Sequence, residues 1–397
     1  MDKIKLFSRE KDCSGCGACA VVCPKQAITM TEDACGYLYP VIDTEKCIRC
    51  GKCQQSCGHG NSILQEPLLA FAAVGKQEEI VKNSTSGGVF ATLAYQAVAQ
   101  GWLTAGAVMD MGEKGAQVYH MLSGNGADIP RMQGSKYVQS NGYLCYQDVC
   151  RAVREGKNVL FSGTPCQVAA VKRLTGDPDN LLTVDIICHG VPPVRLMNDF
   201  LTVIGKRLGG KITDFTFRDK SAPKPFTARL QVKKGKKCWD YRMRAHFLSF
   251  YQHFLQGMTY RESCYHCPYA GMKRASDLTI GDYWQIEKHH KSDIDSGEMP
   301  NRKDWSCILV NTEKGRAFLE QCGQALLRIP TDKQWIAESN QQLRQPSLKN
   351  PKREKILGMY QAEGYRAVER MFIRDQGGRL RFFWRMLKTV TRNCYED

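Results

Sequence analysis

The sequence is short of acid: 40 Asp and Glu stand against 56 Lys and Arg over 397 residues, a formal charge of +16. It has no apolar leader behind the charges of its opening segment MDKIKLFSRE, so no secretory signal is expected and the chain is placed in a reducing cytoplasm. An unbroken membrane-spanning run is also missing. The one long uncharged stretch, 83–109, is interrupted by Gln96, Gln100 and glycines, and reads as a helix, a stop at Gly101 and a buried strand WLTAGAVM. No RNA- or DNA-binding motif is present and the positive charge is dispersed, which argues against a nucleic-acid partner. With 43% hydrophobic and 24% charged residues, the composition excludes disordered, collagen-like and coiled-coil chains. The length suits two to three domains whose cores need no disulfide staples.

What the chain has in excess is cysteine, 19 in all. In a reducing compartment these are metal ligands, catalytic thiols or small core residues. Cys13, Cys16, Cys19 and Cys23 with Pro24 spell C-x2-C-x2-C-x3-C-P, and Cys47, Cys50, Cys53 and Cys57 repeat the spacing with every cysteine displaced by 34 residues. This is an internal duplication. Three thiolates two residues apart wrap a loop around one face of a four-iron cubane, while the fourth, at the start of a short helix, reaches the other cluster. Cys13, Cys16, Cys19 and Cys57 are therefore expected to hold one cluster, and Cys47, Cys50, Cys53 and Cys23 the second. Glycines at 15, 17 and 51 supply positive φ and close backbone approach. Zinc would need paired C-x2-C units and leaves the x3 spacing and Pro24 unexplained. A four-thiolate cluster carries about −2, so three of them would reduce the charge from +16 to about +10.

The first 65 residues or so resemble the bacterial-type two-cluster ferredoxin domain, with Gly58 standing where the second repeat would have proline. That resemblance implies one-electron relay. After Pro67, strand-like LLAFAAVG, a helix opened by SGGVF, strand WLTAGAVM, a helix around 144–155 and strand NVLFSG alternate, which predicts a largely parallel sheet. Residues 285–305 read as an exposed polar loop before strand CILVN. NSTSGGVF, GSKYVQS, SGTPCQVAAVKRL with VDIICHGVP, and SCYHCPYAGMKRASDLTIGDYW together resemble the coenzyme F-420 hydrogenase/dehydrogenase beta-subunit family over 67–345. The resemblance implies an FAD-binding oxidoreductase module with an iron–sulfur cluster of its own. The expected fold is α/β: a small α+β ferredoxin domain over 1–65, a larger α/β flavin-binding oxidoreductase domain over 67–345, and a basic helical tail over 346–397.

Within these motifs, Ser86, Gly87 and Gly88 open an apolar helix after a strand, which suits a pyrophosphate cradle for FAD or an ordinary serine cap with a glycine turn. Lys136 and Tyr137 offer a cation and an aromatic face, or equally a surface lysine beside a packing tyrosine. Gly163 and Thr164 follow a strand, where α/β sheets bind ligands. Cys166, Cys188, Cys264 and Cys267 form a candidate third 4Fe-4S site, with structural zinc as its rival and a nucleophilic role for Cys166 a further alternative. His189 reads as a hydrogen-bond donor near a cluster or a backbone-satisfied histidine, and Asp282 as a partner for Lys or Arg. Cys35, Cys145, Cys150, Cys238, Cys307, Cys322 and Cys394 read as core residues.

In the tail, GGRLRFFWRMLKTVTRN places Leu380, Phe383, Trp384 and Leu387 on one helical face among arginines and Lys388. This suits peripheral contact with an anionic membrane or an acidic partner, or packing on its own domain. The functional expectation is an iron–sulfur flavoprotein oxidoreductase exchanging electrons with a redox partner protein or a small-molecule acceptor. The alternative is a non-catalytic electron-transfer subunit of a larger complex. No catalytic residue is assigned.

Overall fold

A computed structural model describes residue 6 and residues 10–59 and 62–396; the reading of the opening segment falls largely outside the described residues. In chain order the strands are β1 (Ile28–Glu32), β2 (Leu38–Ile42), β3 (Leu69–Gly75), β4 (Leu103–Gly112), β5 (Gly115–Ser123), β6 (Val159–Gly163) and β7 (Leu181–Ile186). They continue with β8 (Lys211–Thr216), β9 (Thr227–Lys234), β10 (Lys237–Arg244), β11 (Leu278–Asp282), β12 (Ser306–Val310), β13 (Leu326–Pro330) and β14 (Thr391–Glu396). β1 and β2 form the antiparallel ribbon of the cysteine-rich segment, in register from Ile28↔Ile42 to Glu32↔Leu38.

The main sheet has eight strands in the order β13-β3-β12-β11-β7-β6-β4-β5. It is mixed, where a largely parallel sheet was expected: only β11-β7, β7-β6 and β6-β4 run parallel. The reason is local. β4 and β5 are joined through Glu113-Lys114, and so short a turn forces antiparallel pairing. β12 likewise returns antiparallel to β11, and it pairs β3 on its other side. Both faces of the centre are covered. Ala73, Ile308 and Val310 pack with Val89, Leu93 and Ala97 of the helix Val89–Ala99, while Ala72, Val74, Cys307 and Leu309 pack with Trp305 and Ile336. Burial on both sides explains why these strands read as continuous apolar runs rather than alternating ones.

The stretch 83–109 folds as read: the helix ends before Gly101, which takes φ 78°, and β4 follows. Among the described residues no helix is long and apolar enough to cross a membrane. Residues 285–305 differ from the expected exposed loop. They contain the helix Glu287–Asp295, and Ile286, His290, Met299 and Trp305 are buried. Their wide spacing among charges hides the inward stripe from a polarity reading.

A second sheet, antiparallel and ordered β14-β10-β9-β8, has no counterpart in the sequence reading. Ala228, Leu230 and Val232 of β9 alternate inward against Leu196, Met197, Phe200 and Ile204 of the helix Val194–Leu208. The tail contributes to the same core through Ile356 and Tyr360 of the helix Arg353–Glu363, Val368 and Phe372 of Tyr365–Asp375, and Phe382 and Met386 of Gly378–Leu387. It is also not helical to its end, because β14 pairs with β10.

Two buried features lead to measurable expectations. His120 on β5 stacks on Phe161, donates from Nε2 to Ser162 O at 3.1 Å and accepts from Ser140 Oγ at 3.1 Å, which fixes it neutral. Burial pushes its pKa down to about 4, and that of His253 likewise. A folded pKa below the unfolded one means stability that is present above about pH 6.5 and lost as pH falls towards 4, about 3 kcal/mol for each histidine. Urea unfolding between pH 7 and 4.5 should show this loss, and His120→Gln or His253→Gln should flatten it; unchanged slopes would refute the assignment. The second feature is the Arg274–Asp185 pair, 2.9 Å apart and fully buried. Arg274→Met strands the Asp185 charge and should cost about 3–5 kcal/mol at neutral pH, most of it recovered in the double variant with Asp185→Leu.

Candidate redox centres

The duplicated segment repeats its backbone as well as its cysteines. Gly17 and Gly51 take φ 86° and 73° and open the short helices Ala18–Val22 and Lys52–Gln55. Position 15 of the first repeat is Gly15 with φ 65°, and its counterpart 34 residues on, Arg49, adopts φ 54° as well. The fourth cysteine of each run lies at the end of its short helix, not at the start as expected: Cys23 caps Ala18–Val22, and Cys57 follows Lys52–Gln55. The left-handed glycine starts the helix before the third cysteine, which moves the fourth past its end.

Cys23, Cys47, Cys50 and Cys53 line one cavity of about 180 Å³, flanked by Lys25, Arg49 and Lys52, with Cys50 exposed. Cys13, Cys16 and Cys19 each lie within electrostatic reach of Cys57. Burial is the main effect on their thiols, holding Cys13 and Cys16 at about 11 and Cys19 higher still. Backbone amides point at the sulfurs: Gly15 N donates to Cys13 Sγ at 3.4 Å, and Ala27 N to Cys23 Sγ at 3.3 Å.

The four later cysteines come from separate elements and meet in a second cavity of about 50 Å³ lined by Cys166, Cys188, Cys264 and Cys267. Cys166 is the second residue of the helix Pro165–Thr175, which Thr164 caps by a reciprocal arrangement with Gln167, and Thr164 Oγ1 lies 3.2 Å from its sulfur. Cys188 follows β7, Cys264 sits in the 3-10 turn Glu262–His266, and Cys267 ends that turn. All four collect beyond the carboxyl ends of parallel strands β6 and β7, where such sheets place their ligands. Burial pushes Cys166 to about 11 and Cys264 to about 12, and raises Cys188 and Cys267 as well.

The two regions touch. Cys166 lies close enough to Cys16 to oppose its ionisation. Arg261, fully buried, donates to Cys13 O at 3.2 Å, Leu38 O at 2.7 Å and Gln139 Oε1 at 3.1 Å, and its guanidinium lies 4.6 Å from the Tyr39 ring centre. Gln139 completes the contact by donating to Ser14 O and Gly15 O. Neither Arg261 nor Gln139 carried a sequence signal, although Gln139 sits inside GSKYVQS.

The residues read as flavin contacts are otherwise engaged. Ser86 Oγ donates to Trp305 O, and Gly87 N donates to Ser306 Oγ at 2.9 Å. Gly87 packs on sheet backbone, for a Cβ there would come within 2.7 Å of Ala73 O. Gly88, at φ 77°, begins the helix. Lys136 Nζ donates to Arg131 O and Gln133 O, and burial lowers its pKa to about 7. Tyr137 stacks on Phe254 at 4.3 Å. Thr164 lines the second cavity beside Cys166, and Gly163 ends β6 just before it. Asp282 pairs with Arg218 at 2.7 Å, as read, and His189 lines the cavity beside Cys188. Of the cysteines read as core, Cys145, Cys238, Cys307 and Cys322 are buried and Cys35 and Cys150 half-buried; Cys394 departs from that reading, exposed on β14.

Two segments of the chain match known protein families. Residues 12–61 match the family described as 4Fe-4S dicluster domain, and residues 156–329 that described as the C terminus of the coenzyme F420 hydrogenase/dehydrogenase beta subunit. An uncharacterized protein of Methanocaldococcus jannaschii is 27% identical over 199 residues, which cover 43% of this chain and 54% of that protein. An iron-sulfur subunit of the CoB–CoM heterodisulfide reductase of the same organism is 36% identical over 73 residues, 15% of this chain and 11% of its own length. One subunit of the Na(+)-translocating ferredoxin:NAD(+) oxidoreductase complex of Acetobacterium woodii is 47% identical over 45 residues, 11% and 12% of the two lengths. This chain thus spans about half of the first relative and about a tenth of the other two. A chain from a structure of the F420-reducing [NiFe] hydrogenase complex of Methanosarcina barkeri aligns with TM-score 0.45 and 16% identity, over 72% of this chain and 97% of its own. The chain thus carries, over residues 12–61, a segment similar to 4Fe-4S dicluster domains and, over residues 156–329, one similar to the C terminus of the coenzyme F420 hydrogenase/dehydrogenase beta subunit.

Proposed function

We propose that the chain relays single electrons through three 4Fe-4S sites, held by Cys23, Cys47, Cys50 and Cys53, by Cys13, Cys16, Cys19 and Cys57, and by Cys166, Cys188, Cys264 and Cys267. The observation that carries this reading is the convergence of the last four cysteines in one cavity beside Cys16. When bound, a four-iron cluster takes and gives one electron at a time. The donor sets suit such a body better than zinc. In the duplicated segment the C-x2-C-x2-C-x3-C run and Pro24 fit such a body and are left unexplained by a zinc site.

The residues order the sites. The set with exposed Cys50 lies at the surface under Lys25, Arg49 and Lys52, which suits exchange with an acidic redox partner. The set containing Cys16 lies between it and the large domain. Similarity to subunits named for larger redox complexes supports a partner protein. The reading keeps the chain in a reducing cytoplasm, where the thiols stay available as ligands. FAD belongs to the same reading through the family, but Ser86, Gly87 and Lys136 are bonded within the protein and do not fit the group as assigned, so no step is derived through it. The electron-transfer-subunit version, in which organic chemistry takes place on a partner, stands beside the flavoenzyme version.

Anaerobic purification followed by iron, sulfide and flavin analysis tests both versions. About 12 iron atoms per chain are expected, and Cys264→Ser or Cys267→Ser should remove about a third of them while leaving the ferredoxin-domain signals. Eight iron atoms with one zinc would refute the third cluster, and stoichiometric FAD would restore the flavoenzyme version.

A membrane contact rests on one further observation. The helix Gly378–Leu387 turns Phe382 and Met386 inward but leaves Leu380, Trp384 and Leu387 92%, 60% and 73% exposed, with Phe383 half-buried. Arginines and Lys388 surround this stripe, as an anionic lipid surface requires. Vesicles containing anionic lipid should retain the protein at low salt and release it at high salt, and Leu380→Ser with Trp384→Ser should abolish binding. Indifference to vesicles at low salt would end the membrane reading.

A further inference from the structure

Two buried polar side chains stand at the contact between the domains, Arg261 and Tyr146. Arg261 directs its donors to neutral oxygens, and among the described residues no carboxylate is hydrogen-bonded to it. A cation buried in this way is costly unless negative charge is near. Arg261 stands between two sets of cysteines that carry negative charge once they ligate clusters: it donates to Cys13 O at 3.2 Å in the first, and its own carbonyl accepts from Cys264 N at 3.0 Å in the other. The second side chain is Tyr146, fully buried in the helix Tyr143–Arg154, where it packs with Cys16 and lies near Cys166. Its hydroxyl makes no well-formed hydrogen bond, and the polar side chain beside it is Gln167. That amide is already committed: its Nε2 goes to Ser140 O and Oγ, and its Oε1 accepts from Thr164 N and Oγ1.

We infer that Arg261 and Tyr146 are positioning residues for an electron crossing between the domains: Arg261 is the counter-charge shared by the two cysteine sets, and Tyr146 Oη donates a hydrogen bond to sulfur at the Cys16–Cys166 contact. This rests on the reading of both sets as 4Fe-4S sites. In the crossing one site is oxidised by one electron and the other reduced by one, with no proton moved and no bond broken. The summed charge of the two sites is the same before and after. A cation shared by both therefore stabilises the transferred electron on either side, and its loss lowers both potentials together. A donor to sulfur acts in the same direction by spreading the charge of the reduced state.

The test is an EPR-monitored redox titration of the full-length, cluster-loaded protein, with iron measured on the same samples. In Arg261→Gln the reduced-to-oxidised ratio at a fixed potential should fall at least tenfold at both sites, a shift of 59 mV for a one-electron couple. The site of Cys23, Cys47, Cys50 and Cys53 should keep its potential, and Arg261→Lys should restore most of the shift. Tyr146→Phe, which removes only the hydroxyl, should shift the same two sites downward by less, and it decides the matter if Arg261→Gln does not fold. Full iron content with unmoved potentials in Tyr146→Phe and the folded Arg261 variants overturns the inference alone. Wild-type protein that takes up no iron overturns the reading beneath it, and the inference with it.

Discussion

A guanidinium without a carboxylate of its own holds the two cysteine-bearing regions at a single spacing. Arg261 reaches the Cys13 carbonyl in the first cluster-type loop, the Leu38 carbonyl on β2 and the Gln139 amide in the large domain, and it stands over Tyr39. Several local features answer to that contact. Gly15 faces the guanidinium and the Gln139 amide, and a Cβ there would come within 2.9 Å of Gln139 Nε2, so glycine is needed for space as well as for its positive φ. Gln139 ties the Ser14 and Gly15 carbonyls to the same point. Around Arg261 and Gln139 the seam is thus polar and hydrogen-bonded, and a polar contact of this kind specifies one docking geometry where an apolar patch would allow sliding.

The sequence spoke most clearly where ligand chemistry dictates spacing. Three thiols two residues apart have few other uses, so the pairing of Cys47, Cys50 and Cys53 with Cys23 around one cavity was readable from the duplication alone. Alternation of strand and helix announced an α/β domain, yet not its mixed sheet, because strand direction depends on connections that polarity does not encode. The helix Glu287–Asp295 was hidden for a similar reason: its buried positions are too sparse among charges to register as periodic. β9 does carry the alternation of a half-buried strand, Ala228, Leu230 and Val232 between polar residues, whereas its sheet is completed by β14 from the far end of the chain, a pairing that no local pattern marks.

The motifs themselves were easier to find than to interpret. In GSKYVQS the conspicuous residues were Lys136 and Tyr137, a cation and a ring, but the lysine bonds carbonyls within its own loop and the tyrosine joins an aromatic cluster. The residue that reaches across the domains is Gln139, which has neither charge nor ring to draw notice. Arg261 stands immediately before the cysteine-bearing passage in the same inconspicuous way. Contacts separated by more than a hundred residues leave no mark on local pattern, and these are the contacts that bring the two regions together.

That separation has a consequence for how the protein is made. The carbonyl of Cys13 and the guanidinium that holds it are 248 residues apart in the chain. At about 5–20 residues per second of synthesis, the first cysteine run waits about 12–50 s for the side chain that docks it. During that interval its thiols are open to oxidation and to stray metal, and their protection must come from early cluster insertion or from a binding factor rather than from the fold. Assembly of this protein is accordingly limited by timing as much as by stability.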